Sequence, residues 1–195
     1  MAKRIMTETD ILPMAEYVRS RPDWRSKVTA KKRNRRVDVG PYITFYFECY
    51  DTMWLQVQEM LYIEKGGLEQ IPGELEAYNP LIPNGSELTA TFMIEIDDPS
   101  LRKRILEGLG RIEEAAFIRV GGETIRGLPE ADADRTRADG KASSVQFVHF
   151  PFTPSQIAAF TSPNAEVVLG FNHTNYGHMA VLGEAIRKEL STDFG

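Results

Sequence analysis

Three histidines, His149, His173 and His178, are all that the chain contains, and they fall within one thirty-residue stretch. Imidazole is the side chain best suited both to metal ligation and to proton transfer near neutral pH. The last two lie in Phe171-Asn172-His173-Thr174-Asn175-Tyr176-Gly177-His178-Met179, which reads as the tip of a β-hairpin. A turn centred on Asn175-Tyr176 sets His173 opposite His178, with Cβ atoms about 5 Å apart. His173 continues the face of Val167, Leu169 and Phe171, His178 runs into Ala180 and Leu182, and His149 follows Val145 and Phe147. All three are therefore expected at the apolar faces of their strands, near the ends. Neutral imidazoles there can bind a divalent metal if a carboxylate completes the shell. Glu48, closing a strand, and Glu59 or Glu64 on the next helix are the carboxylates to test. The competing reading is a set of histidines hydrogen-bonded to backbone. No cysteine cluster and no His-x-x-x-His spacing argues against it.

Other signatures of chemistry are absent. The sequence has no Gly-x-Gly-x-x-Gly, no Walker loop and no Gly-x-Ser-x-Gly elbow. Cys49 extends the apolar series Ile43, Phe45, Phe47, which favours a buried thiol over a nucleophile. Met53, Trp54, Val57, Met60 and Leu61 recur at helical spacing and read as core. Gln56 and Glu59 could face a pocket with Glu48, although polar positions on such a helix are most often simply hydrated.

These residues need elements to hold them. Pro13 opens a first helix, and Pro22 within Ser20-Arg21-Pro22-Asp23 should kink it or divide it in two. After Gly40-Pro41, residues 42–49 alternate as a strand, and Asp51 or Thr52 caps a helix over 53–65 that Gly66-Gly67 stops. A shorter helix is expected over 68–78. Leu88, Ala90, Phe92, Ile94 and Ile96 give the clearest period-two pattern. Asp98-Pro99 starts a helix to about residue 109. Strands at 115–120 and 123–127 are joined by Gly121-Gly122, a favoured two-residue hairpin turn. Residues 127–143 form a long polar stretch whose acids do not match a calcium loop, and a mobile surface loop or lid is expected there. Thr153-Pro154-Ser155-Gln156 is a capping box, with Phe152 and Ile157 spaced as a hydrophobic staple. A final hairpin and a helix over 184–191 complete the chain. Helices interspersed with hairpin-linked strands imply an α+β fold with a mainly antiparallel sheet. That sheet is expected to carry the strands at 43–47, 88–96, 145–149 and 167–171. A helical basic segment, 1–36, is expected to precede a single α+β domain, 37–195.

Composition narrows the function classes. Arg25, Lys27, Lys31, Lys32, Arg33, Arg35 and Arg36 lie within twelve residues, while the whole chain has a net charge of -5. Removing those seven leaves 16 bases against 28 acids, a balance of -12. The basic segment is thus expected to form a solvated face or to pair with acids of its own subunit or a neighbour's, as in a homodimer. Nucleic acid is disfavoured, because only Trp24 offers an interleaved aromatic. No apolar run reaches the ~18 residues of a membrane span. The polar start, Met1 to Glu8, lacks the apolar core of a secretion signal. The single cysteine allows no intrachain disulfide. A cytoplasmic protein is expected.

Several strings carry a resemblance. Val39-Gly40-Pro41, Thr44-Phe45-Tyr46-Phe47-Glu48, Asp51-Thr52-Met53-Trp54-Leu55-Gln56-Val57-Gln58-Glu59-Met60-Leu61, Ala77-Tyr78-Asn79-Pro80-Leu81-Ile82-Pro83, Glu95-Ile96-Asp97-Asp98-Pro99, His149-Phe150-Pro151-Phe152-Thr153-Pro154 and the stretch 173–178 resemble an uncharacterised bacterial family. That family is classed only as a domain of unknown function. Pro22 and Cys49 depart from its pattern. The resemblance implies a gene context beside a rubrerythrin-like di-iron protein and a cysteine-rich iron–sulfur oxidoreductase. It therefore implies a role near peroxide, iron or electron-transfer chemistry, and supplies no catalytic residue. The chain lacks the Glu-x-x-His motifs of a di-iron bundle, so it would partner such a protein. The expected function is an accessory or interaction protein of a redox or iron system. The alternative is a small metal-binding protein or metal-dependent enzyme using His149, His173, His178, Glu48 and Glu59.

Overall fold

A proline inside a helix removes one backbone hydrogen bond and crowds the preceding turn, yet in the computed structural model α1 (Met14–Lys32) runs unbroken through Pro22. The model describes residues 3–130 and 141–195. Side chains on both sides of the proline explain the missing break. Tyr17 and Trp24 pack on Trp54 with ring centroids at 6.2 and 4.5 Å, and Arg21 pairs with Glu59. Docking on both flanks keeps the helix continuous where local propensity alone would divide it.

The chain then forms β1 (Arg36–Val39), β2 (Ile43–Phe47), α2 (Tyr50–Glu64), α3 (Ile71–Tyr78), β3 (Glu87–Ile94) and α4 (Pro99–Glu107). Next come β4 (Ala116–Val120), β5 (Glu123–Arg126), β6 (Leu128–Pro129) and β7 (Val145–Pro151). The last elements are α5 (Pro154–Thr161), β8 (Val167–Phe171), β9 (Met179–Val181) and α6 (Glu184–Leu190). Two caps read from sequence are present, since Asp98 accepts the Leu101 N–H and Thr153 and Gln156 form the capping box. By contrast, α2 starts earlier than expected, with Cys49 as its N-cap and Asp51 and Thr52 inside its first turn. The expected helix over 68–78 is a 3₁₀ turn, Gly67–Gln70, followed by α3.

The fold is α+β with antiparallel sheets, but the strands divide between two sheets where one was expected. The first has the order β1-β2-β3-β7-β6 and the second β5-β4-β8-β9, so β8 does not join β2, β3 and β7. The chain crosses between sheets at Gly127, which donates its N–H to the Ala116 carbonyl at 2.8 Å. A Cβ there would lie 2.5 Å from Val148 Cγ2. Only glycine leaves room for this crossing, and no periodicity in the sequence announces it. Leu128 and Pro129, inside the expected polar loop, extend the first sheet beside β7. The middle of that loop, and the first two residues of the expected polar N-terminus, lie outside the described residues.

The two sheets face each other across the main core. Phe45 and Phe92 each approach Phe171 of the opposite sheet at 5.2 Å between centroids. On β7 the core-facing residues are Gln146, Val148 and Phe150, while Val145, Phe147 and His149 are half-buried on the other side. That outer face is covered by helices, since Phe147 packs on a second cluster with Tyr17, Trp54, Val57 and Leu61. Both faces of the sheet are apolar in part, so β7's alternation does not reveal which face meets the main core.

Candidate functional site

The hairpin joining β8 to β9 differs in register from the sequence reading. Gly170 pairs with Met179, Phe171 donates its N–H to the His178 carbonyl, and His173 bridges Tyr176. The turn is therefore Thr174-Asn175, and His178 stands opposite Phe171 instead of His173. Tyr176 is the physical reason. Its buried hydroxyl accepts the N–H groups of Tyr42 and Ile43 at 3.0 and 3.1 Å and donates to the Val39 carbonyl at 2.8 Å. Seating that phenol in the β1–β2 turn fixes the register, and Asn175 adds a bond from Nδ2 to the Gly108 carbonyl.

The two imidazoles consequently have separate surroundings. His173 Nδ1 accepts the Asn175 N–H at 3.2 Å, and Nε2 faces the Gly110 carbonyl at 3.1 Å. This pattern matches the neutral ring protonated at Nε2. His178 is exposed and packs edge-on against Tyr176 at 4.5 Å. A Cβ at Gly40 would sit 2.6 Å from His178 Cγ, and Gly40 has φ +69°, so glycine is required beneath that ring on two counts.

His149 is held on the other sheet. Its Nδ1 lies 3.1 Å from Glu87 Oε2 and its Nε2 lies 2.7 Å from Glu130 Oε2. Thr89 and Leu128 flank His149 directly across the ladders, and Glu87 and Glu130 lie two residues further along those strands. The hydrogen bond to Glu87 raises the His149 pKa, against the opposing effect of burial, and Glu130 adds to the rise. The two carboxylates thus favour the protonated ring more than water does. Sequence reasoning missed Glu87 and Glu130, which become neighbours of His149 only once the strand register is known.

The expected carboxylates are engaged elsewhere. Glu48 is buried and accepts from Thr52 Oγ1 at 2.6 Å and Thr91 Oγ1 at 2.8 Å. Glu59 takes Arg21 in a two-pronged pair at 2.7 and 2.8 Å and also accepts from the Tyr17 hydroxyl. Arg21 holds the Glu59 carboxyl below its usual range. The structure thus brings none of His149, His173 and His178 together with Glu48 or Glu59. Among the described residues, no three His, Cys, Asp or Glu side chains are grouped so as to hold a metal ion.

Of the seven residues of the basic run only Arg35 is buried, while Arg25, Lys27, Arg33 and Arg36 are exposed. Arg35 is 1% exposed, bonds both carboxylate oxygens of Asp193 at 2.8 Å, and also reaches Glu189 and the Glu48 carbonyl. Lys31 pairs with Asp51, and Arg36 with Asp38. Cys49 is a buried free thiol, as its place in the apolar series suggested.

An apolar concavity lies in the helical layer. A groove of about 600 Å³ runs between residues 11–18 and the α2–α3 corner, and its walls include Ile11, Leu12, Met14, Val18, Leu61, Tyr62, Leu68 and Ile71. One wall is anchored by Trp54, whose Nε1 donates to the Asp10 carbonyl at 2.8 Å. Leu68 is 83% exposed, Val18 47% and Met14 38%. Glu8 and Lys65 also line the groove, and neither forms an ion pair among the described residues. No described helix is long and apolar enough to cross a membrane.

The model of a protein family of unknown function, DUF3501, matches residues 5–194. No curated protein matches the chain. A crystal structure of a novel protein of unknown function from Burkholderia pseudomallei is similar, with a TM-score of 0.90 at 30% identity, covering 97% of this chain and 99% of that one.

Proposed function

The chain belongs to the DUF3501 family of unknown function, and we propose that it is an accessory protein that docks an amphipathic helix of a protein partner in the groove between α1 and the α2–α3 corner. The observation that carries this reading is the exposure of Leu68, Val18 and Met14 around one continuous apolar concavity. Contiguous apolar surface of this kind marks interaction sites. A helix presenting residues at i, i+3, i+4 and i+7 is the occupant that fits a trough walled by helices. Glu8 and Lys65 would meet opposite charges on the flanks of such a helix. The gene context implied by the family resemblance makes a rubrerythrin-like protein and an iron–sulfur oxidoreductase the first partners to test.

Calorimetry with each of those two proteins tests the proposal. Burying an exposed leucine contributes about 1.5–3 kcal/mol, so Leu68→Asp should weaken binding by roughly tenfold or more. The exposed position leaves the fold of the variant intact. Binding unchanged in Leu68→Asp, or no binding of either protein by the wild type, would contradict the reading.

A further inference from the structure

The outward face of the second sheet carries two cations that the fold does not use. Register places its residues in rows: Arg126, Phe117, Gly170 and Met179 lie across from one another, and Thr124, Arg119, Val168 and Val181 form the next row. Arg119 and Arg126 are therefore diagonal neighbours on adjacent strands, with Cα atoms about 7–8 Å apart. At that spacing two guanidinium groups can converge on one oxyanion. Neither forms an ion pair or hydrogen bond among the described residues. The nearby carboxylate Glu114 is already taken by Arg111 at 2.7 and 2.9 Å. Glu123 lies on the alternate side of β5 and accepts from Gln156.

Beside the arginines the surface turns apolar. Gly170 lets Phe117 and Met179 close over the strand: a Cβ there would lie 2.8 Å from both the His178 carbonyl oxygen and Met179 Cγ, and 3.0 Å from the Phe117 ring. Met179 and Val181 are 58% and 67% exposed. The resulting concavity, about 780 Å³, is lined by both arginines, Phe117, Met179 and Asn172. It falls within the roughly 300–1,000 Å³ of small-molecule sites, which combine an apolar lining with a few convergent polar groups.

We propose that this face binds an amphiphilic anion, its oxyanion head held by Arg119 and Arg126 and its apolar body lying over Phe117 and Met179. Guanidinium forks suit carboxylate and phosphate heads alike. The site is on the opposite sheet from the helical groove and does not depend on the docking reading.

The test uses the full-length protein with decanoate, decyl phosphate, inorganic phosphate and decanol as probes. Titration followed by backbone amide shifts separates this face from the helical groove. Decanoate or decyl phosphate should perturb Gly170, Phe117 and Met179, and Arg119→Gln/Arg126→Gln should weaken the stronger of the two by roughly tenfold or more. Which probe binds more tightly identifies the head, and binding by inorganic phosphate comparable to decyl phosphate would remove the apolar half of the proposal. Decanol binding as tightly as decanoate, affinity unchanged in the double variant, or shifts confined to residues 11–18 and 61–71 would each overturn it. Arg126 is exposed and Arg119 half-buried, and neither is paired among the described residues, so the variant is expected to fold as the wild type does.

Discussion

At the scale of single residues, His149 makes the most specific claim. An imidazole between Glu87 and Glu130 has its folded pKa raised above the ordinary 6.5. A raised pKa means that the proton is bound more tightly in the folded chain, so the group stabilises the fold fully below the unfolded value. That contribution is lost as pH rises through the folded value. The melting temperature of wild type relative to His149→Gln should therefore be most favourable near about pH 5.5 and fall toward about pH 9. A difference independent of pH would show that the ring does not bind its proton in this way. The residue types of this cluster were legible in the sequence, and their convergence was not. His149 and Glu130 are nineteen positions apart, and only the pairing of β6 with β7 makes them neighbours.

At the scale of elements, local patterns were most readable where one face decides the outcome. The strand expected over 88–96 forms over Glu87–Ile94, and the Gly121-Gly122 turn and the Thr153 capping box form as their residue types dictate. Expectations failed where a distant side chain overrides local preference. Contacts with Trp54 keep α1 from dividing at Pro22, and the Tyr176 phenol resets the register of the last hairpin. Arg35 belongs with these cases, since a basic run gave no sign that one of its members is wholly enclosed. It ties the entry to β1 to α6 through Glu189 and to the chain after α6 through Asp193. Removing one partner of a buried pair leaves an uncompensated charge, so Arg35→Ala should cost about 3–5 kcal/mol in urea unfolding. The double replacement Arg35→Met/Asp193→Leu should recover much of that loss. A loss below about 1 kcal/mol for Arg35→Ala, the range of exposed pairs, would mean that the tie contributes little.

At the scale of the whole molecule, fold class was legible and layering was not. Antiparallel strands and helices followed from periodicity, whereas the division into two sheets depends on Gly127 and on which face of β7 meets the main core. The candidate histidine site was read from a hairpin register that the tertiary structure changes. The groove escaped sequence reading because its walls come from residues 11–18 and 61–71, which read separately as ordinary helix surface. The central claim is that this groove receives a partner's helix, and hydrogen–deuterium exchange of the chain with and without a bound partner tests it most directly. Residues 11–18 and 61–71 should gain protection when the rubrerythrin-like or iron–sulfur protein is added, and Leu68→Asp should abolish that gain. Protection confined to the second sheet, or none anywhere at saturating partner, would contradict it.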